Sequence, residues 1–270
     1  MKKVIMSLSA IMVISGLSAD SLESALKEGK FDGRIRVQYF YTDWIDQSST
    51  TGKNTQDAYG LALGGSLLYK TAPLYGISAG VGFYTSQNPF NMTNKGDGGT
   101  ANTSKDLFLR TSTADYSTLG ANTIDVLAQS YLQADIGKTT LKVGRMLATN
   151  PFVSPNDTKM IPLAVEGSEI MSKDIPQTLL YGLYMTSVKE RGRTDFGNLT
   201  DTADTPDKVK SSKQIDYSAI IGIKNSTIPN LELQAWGLQI PDLANQLMAE
   251  ANLKLGVVTV GVRYLKQIDK

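Results

Sequence analysis

The sequence predicts an all-β protein, a transmembrane antiparallel β-barrel preceded by a short helix. Three observations carry that prediction. Apolar residues recur at every second position through eleven segments, the period of a strand with one apolar and one polar face. Most segments run about ten residues, the length that crosses a bilayer at a tilt. Short turns alternate with longer polar loops, as in barrels with periplasmic turns and external loops. A soluble β-sandwich also hides one face of each strand. Against it stand the aromatic residues near strand ends on the apolar face, Tyr41, Tyr59, Tyr69, Phe83, Tyr217 and Tyr264, where a membrane girdle would place them.

Composition removes several kinds of chemistry. The chain has 270 residues with neither cysteine nor histidine. Disulfides, thiol catalysis, Cys/His zinc sites and His-based triads are therefore excluded, and no cofactor is expected. Lys and Arg number 27 against 26 Asp and Glu, so the chain lacks the basic excess that nucleic-acid binding requires. Met1-Lys2-Lys3, the apolar run Val4–Leu17 and the small residues Ser18-Ala19 read as a secretory signal peptide over residues 1–19. No later stretch has the roughly twenty apolar residues of a membrane-spanning helix.

The elements follow in order. Asp20–Glu28 is a short helix, with Asp20 as N-cap and Glu23 three residues on. In 33–43, Ile35, Val37, Tyr39 and Tyr41 share a face opposite Arg34, Arg36 and Gln38, and only Phe40 breaks the pattern. Strands are predicted over 58–69 and 75–84, with glycine and serine on the polar face. A polar, aperiodic stretch occupies 86–122. In 123–136, Val126, Ala128, Leu132, Ala134 and Ile136 oppose Gln129, Tyr131, Gln133 and Asp135. Gly137-Lys138 turns the chain tightly into 139–145. Further strands are predicted at 164–171, 178–188 and 215–224. After the charged loop 189–212, Glu232 and Gln234 alternate with Leu231, Leu233 and Ala235, Glu250, Asn252 and Lys254 with Ala249, Ala251 and Leu253, and Arg263 with Val262 and Tyr264.

Two features bear on function. The polar residues Arg34, Arg36, Gln38, Gln129, Tyr131, Gln133, Asp135, Glu232, Gln234, Glu250, Asn252, Lys254 and Arg263 would line a wet interior. Residues 146–163, with Pro151, Pro155 and Pro162 and the apolar Phe152, Val153, Met160 and Ile161, form a connection too long for a plain turn. It is expected to fold inward and narrow a pore, with Asn156, Asp157, Lys159, Glu166 and Glu169 at the constriction. Three acids against one lysine there would favour cations.

The segments SLESALKEGKFDGRIRVQYFYTDW (21–44), TLKVGR (140–145), FVSPNDTKMIPLAVEG (152–167), DIPQTLLYGLYMT (174–186) and KERGRTDFGNL (189–199) resemble the OprD-like outer-membrane porins of the epsilonproteobacterial type. The resemblance covers nearly the whole chain. It implies an eighteen-stranded barrel, often trimeric, with the loop after the fifth strand folded into the lumen. It also implies residence in the outer membrane among its lipids, and a channel for small polar solutes, cationic or amino-acid-like. Eleven strands is an odd number for such a barrel, and Gln267-Ile268-Asp269-Lys270 lacks a terminal aromatic. Residues 20–270 are therefore expected to be an incomplete barrel, truncated at the C-terminus. The resemblance also implies an arginine ladder in the lumen, from which this chain departs: only Arg34, Arg36 and Arg263 sit clearly on the polar face, and Arg145 reaches it only if a bulge occurs near Gly144. The competing reading is a surface adhesive β-protein that binds through its long loops. A carboxylate-pair enzyme has no compact acidic or serine cluster to support it.

Overall fold

The computed structural model describes residues 19–42, 58–89, 123–156, 158–198 and 216–269. The expected signal peptide up to residue 18, most of the loops 43–57 and 86–122, Asp157 and residues 199–215 lie outside the described residues. After a helix α1 (Ala19–Lys27) come eleven strands: β1 (Lys30–Thr42), β2 (Ala58–Lys70), β3 (Ile77–Gln87), β4 (Ile124–Ile136), β5 (Thr139–Met146), β6 (Ala164–Ser172), β7 (Thr178–Lys189), β8 (Ser218–Asn225), β9 (Leu231–Ile240), β10 (Ala244–Leu255) and β11 (Val258–Asp269). They form one sheet in sequence order, each strand antiparallel to the next. Among the described residues no ladder joins β1 to β11. Every interior strand pairs its backbone on both sides, the condition for a sheet to exist in hydrocarbon.

The two faces differ as the alternation requires. One face is apolar and bare: Ile35, Val37, Leu67, Val143, Ile221, Val262 and Tyr264 are all exposed. The other face carries the polar alternates and is crossed by residues 147–163, which cover part of it, and we call it the loop face. The aromatic residues Tyr41, Phe83 and Tyr264 are exposed on the bare face, and Tyr217 stacks on Tyr184 with ring centroids 5.4 Å apart.

Three departures from simple alternation shape the loop face. Leu127 pairs with Phe83 and Gln129 with Gly82, so Ala128 is an extra, bulged residue that shifts the phase of β4 by one. Val126 and Ala128 consequently turn onto the loop face, where both are buried. This corrects their expected grouping with Leu132, Ala134 and Ile136. A second bulge leaves Thr186 unpaired opposite Glu166 and Gly167. At Gly144 the backbone takes φ +123°, a conformation that side chains rarely adopt, and an added Cβ there would collide with the carbonyl of Ser130.

The ends of several elements also move. Strand β1 begins at Lys30 and β3 at Ile77, because Tyr75 and Gly76 both take positive φ in the turn. The connection at 240–245 is a tight turn between Ile240 and Ala244, with Asp242 at φ 59°. Helix α1 already includes Ala19 and Asp20, so Asp20 is not its N-cap. The helix lies against the β2–β3 turn: the Ala72 N–H donates to the carbonyl of Ala25 at 2.9 Å, and the Tyr69 hydroxyl donates to that of Leu26.

Candidate functional site

Residues 147–163 leave β5, cross the loop face and return into β6. Their sequence explains the path. Apolar residues at both ends of the segment seek cover, and prolines between them prevent a helix or a ladder. Phe152, Val153 and Leu163 pack on a cluster of Met146, Val165, Tyr181, Leu183, Ile220, Trp236 and Met248. Met160 and Ile161, both 0% exposed, pack among Ala62, Tyr84, Ile124, Val126 and Ala128. The segment thus reaches from Tyr181 of β7, which Asn150 meets, to the cluster that Ala62 of β2 shares. Its tip then meets β1. The Gln38 Nε2 donates to the carbonyl of Thr158 at 2.8 Å, Arg36 donates to the carbonyl of Lys159, and the Lys159 ammonium lies 3.8 Å from the centre of the Phe40 ring. Phe40, the misfit in the strand pattern, is the aromatic seat of that lysine, a contact of about 0.5–2 kcal/mol.

The start of the segment is fixed by a buried polar chain. Lys142 lies 3.7 Å from Glu169 and 5.6 Å from the Tyr131 ring centre. The Tyr181 hydroxyl donates to Glu169 Oε1 at 2.8 Å and accepts from Asn150 Nδ2 at 3.1 Å. Asn150 Oδ1 in turn accepts from the N–H groups of Phe152 and Val153, each at 2.9 Å. Glu169 is 3% exposed, and a carboxylate buried to that degree needs such partners.

The remaining wall residues fall into rows set by register. Gln133 accepts from Lys70 at 3.0 Å and donates to Asp135 at 2.7 Å, while Gln129 donates to the Tyr84 hydroxyl at 2.8 Å. Across β8 to β11 the register aligns Lys224, Gln234, Glu250 and Arg263. Glu250 pairs with Arg263 and accepts from Asn252 at 2.7 Å. Lys224 pairs with Glu232 at 2.8 Å. Arg34 and Lys254 lie on the same face by register.

The constriction candidates divide. Asp157 lies outside the described residues. Asn156 is exposed at φ 48° and accepts from the Thr158 hydroxyl at 2.9 Å, the geometry of a turn after Pro155. Glu166 is held by Arg145 at 2.9 Å, and Glu169 by Lys142. The expected excess of acid at the constriction therefore meets two cations that the sequence count left out. Arg145 lies 4.3 Å from the centre of the Phe196 ring, and Phe196 packs against the cluster that holds Met160 and Ile161. Neither ladder of β5 shifts register at Gly144, yet the Arg145 guanidinium reaches the loop side beside Phe196. Lys142, Lys224, Trp236 and Tyr181 were missed. The two lysines sit on the polar phase of their strands and could have been found by following that phase instead of the apolar one. Among the described residues no group of acidic side chains is arranged to hold a metal.

A model of the family described as "outer membrane porin, OprD family" matches residues 26–268. No curated protein sequence matches the chain. Among solved structures, the chain is similar to a BenF-like porin from Pseudomonas fluorescens Pf-5, with TM-score 0.68 and 16% identity over 90% of this chain and 59% of that one. It is also similar to OccK8 (OprE) of Pseudomonas aeruginosa, with TM-score 0.70 and 14% identity over 91% of this chain and 56% of that one. OccAB2 of Acinetobacter baumannii gives TM-score 0.67 and 17% identity over 91% and 59%. At these identities the likeness is one of fold, and the chain spans less than three-fifths of the length of each. The family match covers nearly all of the sheet described above, and the chain belongs to the OprD family of outer membrane porins.

Proposed function

We propose that the eleven strands are part of the closed wall of a water-filled outer-membrane channel. Small polar solutes diffuse through it passively, and residues 147–163 set its narrowest point. The observation that carries this reading is the path of that segment, which crosses the polar face from Tyr181 of β7 to Arg36 and Gln38 of β1 and buries Met160 and Ile161 on the way. A polar solute pays heavily to enter hydrocarbon, and a wet path removes that cost. In this reading residues 1–19 export the chain and the bare face meets lipid. Further strands beyond β11 close the wall, and three copies assemble. The rows Arg34–Gln38, Gln129–Asp135, Glu232–Gln234, Glu250–Lys254 and Arg263 line the lumen.

Charge selectivity is the finer part of the proposal. Asp157, Glu166 and Glu169 against Lys159 favour cations by count. Pairing of Glu166 with Arg145 and Glu169 with Lys142 weakens that preference, since a paired charge presents a dipole to a passing ion. We read the constriction as charge-paired, suited to small dipolar, amino-acid-like solutes, with any cation preference resting on Asp157. Planar-bilayer recording of the native protein in a salt gradient tests this. A reversal potential near zero, together with uptake of small zwitterions into liposomes, agrees with it. A strongly cation-selective potential would restore the acidic count, and absence of channels would refute the porin reading.

A further inference from the structure

The connection after β7 begins with an ordered piece. The Val188 and Gly197 backbones form an antiparallel bridge, with N–H···O distances of 3.0 and 3.1 Å. Between them the chain makes a turn closed by the Arg193 N–H on the Glu190 carbonyl at 3.2 Å. The last residue of β7, Lys189, is fully buried. Its ammonium donates to the carbonyl of Glu190 at 2.9 Å, with that of Arg193 at 3.5 Å. A buried lysine is expensive unless its donors are used, and here they are turned on the backbone of the turn.

That turn aims two side chains at the inserted segment. Arg191 Nη1 donates to the Thr158 hydroxyl at 3.2 Å, at the tip that also bonds Gln38. Phe196 packs on the cluster built around Met160 and Ile161 and lies beneath Arg145. We propose that residues 189–197 are a brace that positions the tip of segment 147–163, with Arg191 and Phe196 as positioning residues and Lys189 as the clamp that shapes the turn. The inference rests on the porin reading for its consequence in the pore, but the contact itself does not.

The brace has two attachments, on different parts of the tip, and a clamp behind them. Arg191 restrains Thr158 through its hydroxyl, while β1 holds its carbonyl through Gln38. Phe196 covers the apolar pair behind it and orients Arg145 toward Glu166. Lys189 holds the turn from which both project. Loss of any one leaves the sheet ladders intact, so the effect is local.

The test exploits the absence of cysteine. In native outer membranes, the T158C/R191C variant is treated with a short bismaleimide, and V143C/R191C, with Val143 on the bare face, serves as control. Cross-linking of the first pair alone supports the brace, and absence of cross-linking in the first pair overturns it. Single-channel recording of R191A, R191K, F196A and K189M supplies the consequence. Excursions between conductance levels are expected to become about fivefold more frequent in R191A and F196A, the effect of losing roughly one hydrogen bond or its equivalent. R191K is expected to restore much of the wild-type behaviour, and K189M to match R191A, while the heat-resistance of the folded band on electrophoresis changes in none of them. Cross-linking without any channels would defeat the porin reading and leave the brace standing. Normal channels with unchanged excursions in every variant would defeat the brace as a positioning device.

Discussion

Replacing Ile161 by alanine separates the seating of the inserted segment from the stability of the sheet. Ile161 is 0% exposed and sits among Ala62, Tyr84, Ile124, Val126 and Ala128. Ile→Ala at a fully buried site costs about 2–5 kcal/mol, transfer and cavity together. The low end applies here, because the segment can settle toward the small side chains Ala62 and Ala128. The ladders of β1 to β5 gain nothing from Ile161 directly, so the loss falls on the local equilibrium between seated and lifted segment. At about 2 kcal/mol the lifted population grows roughly thirtyfold. Hydrogen exchange of the detergent-solubilised protein reads this at the Leu163 N–H, which donates to the Pro155 carbonyl at 2.9 Å, and at the Asn150 N–H on Val153 at 2.8 Å. Exchange there should accelerate while β2 and β3 stay protected. Equal acceleration in β2 and β3 would show that Ile161 is part of one indivisible core. No acceleration at all would mean that burial of this pair does not hold the segment.

Three further predictions concern the wall and its turns. Y181F removes one neutral hydrogen bond and one to a buried carboxylate, so seating of the segment's start should weaken by about 2–4 kcal/mol, read as faster exchange at Phe152 and Val153 with β8 and β9 unchanged. G222A places a Cβ inside the Trp236 ring, which must leave its contact with Tyr181 at 5.4 Å; in a W44F background, Trp236 emission should shift to the red, and an unchanged spectrum would contradict the packing. Asp174, in the β6–β7 turn, accepts from the Thr139 hydroxyl at 2.6 Å, the Lys138 N–H at 3.0 Å and the Ser172 hydroxyl at 3.1 Å. These donors, Thr139 foremost, hold its carboxyl below the usual carboxylate range. A depressed folded value means that the clamp contributes fully above the ordinary aspartate value, about 3.9, and is lost as pH falls through the folded value. Exchange at the Lys138 amide, measured relative to an unstructured peptide, should therefore lose protection on strong acidification in the wild type and show no such step in D174N.

Much of the sheet was legible because membrane strands obey a local rule. Ile35, Val37 and Tyr39 face one way for the same reason that Arg34, Arg36 and Gln38 face the other, and no distant contact is needed to say so. The rule fails where one extra residue enters. The bulge at Ala128 cannot be read from Val126 and Ala128 themselves, which suit either face, and it is fixed by the pairing with β3. The turn at 240–245 is short because β9 and β10 extend their ladder to Ile240 and Ala244, beyond the clean alternation. At the site, prolines and paired apolar residues announced an inserted segment, yet its landing place on Phe40, Gln38 and Arg36 depends on packing across four strands. Charge was the least legible part. Glu166 and Glu169 acquire Arg145 and Lys142 through cross-strand register, and a count of side chains within the segment does not see partners on the wall.

The central claim is that residues 147–163 narrow a conducting lumen, and a thiol placed at Lys159 tests it most directly. The 270-residue sequence is free of cysteine, so K159C and the bare-face control V143C each add one reactive site to it. A bulky charged, membrane-impermeant methanethiosulfonate reagent added during single-channel recording should reduce the current through K159C stepwise and leave V143C unchanged. An unchanged K159C current, with modification confirmed by mass spectrometry, would contradict the account.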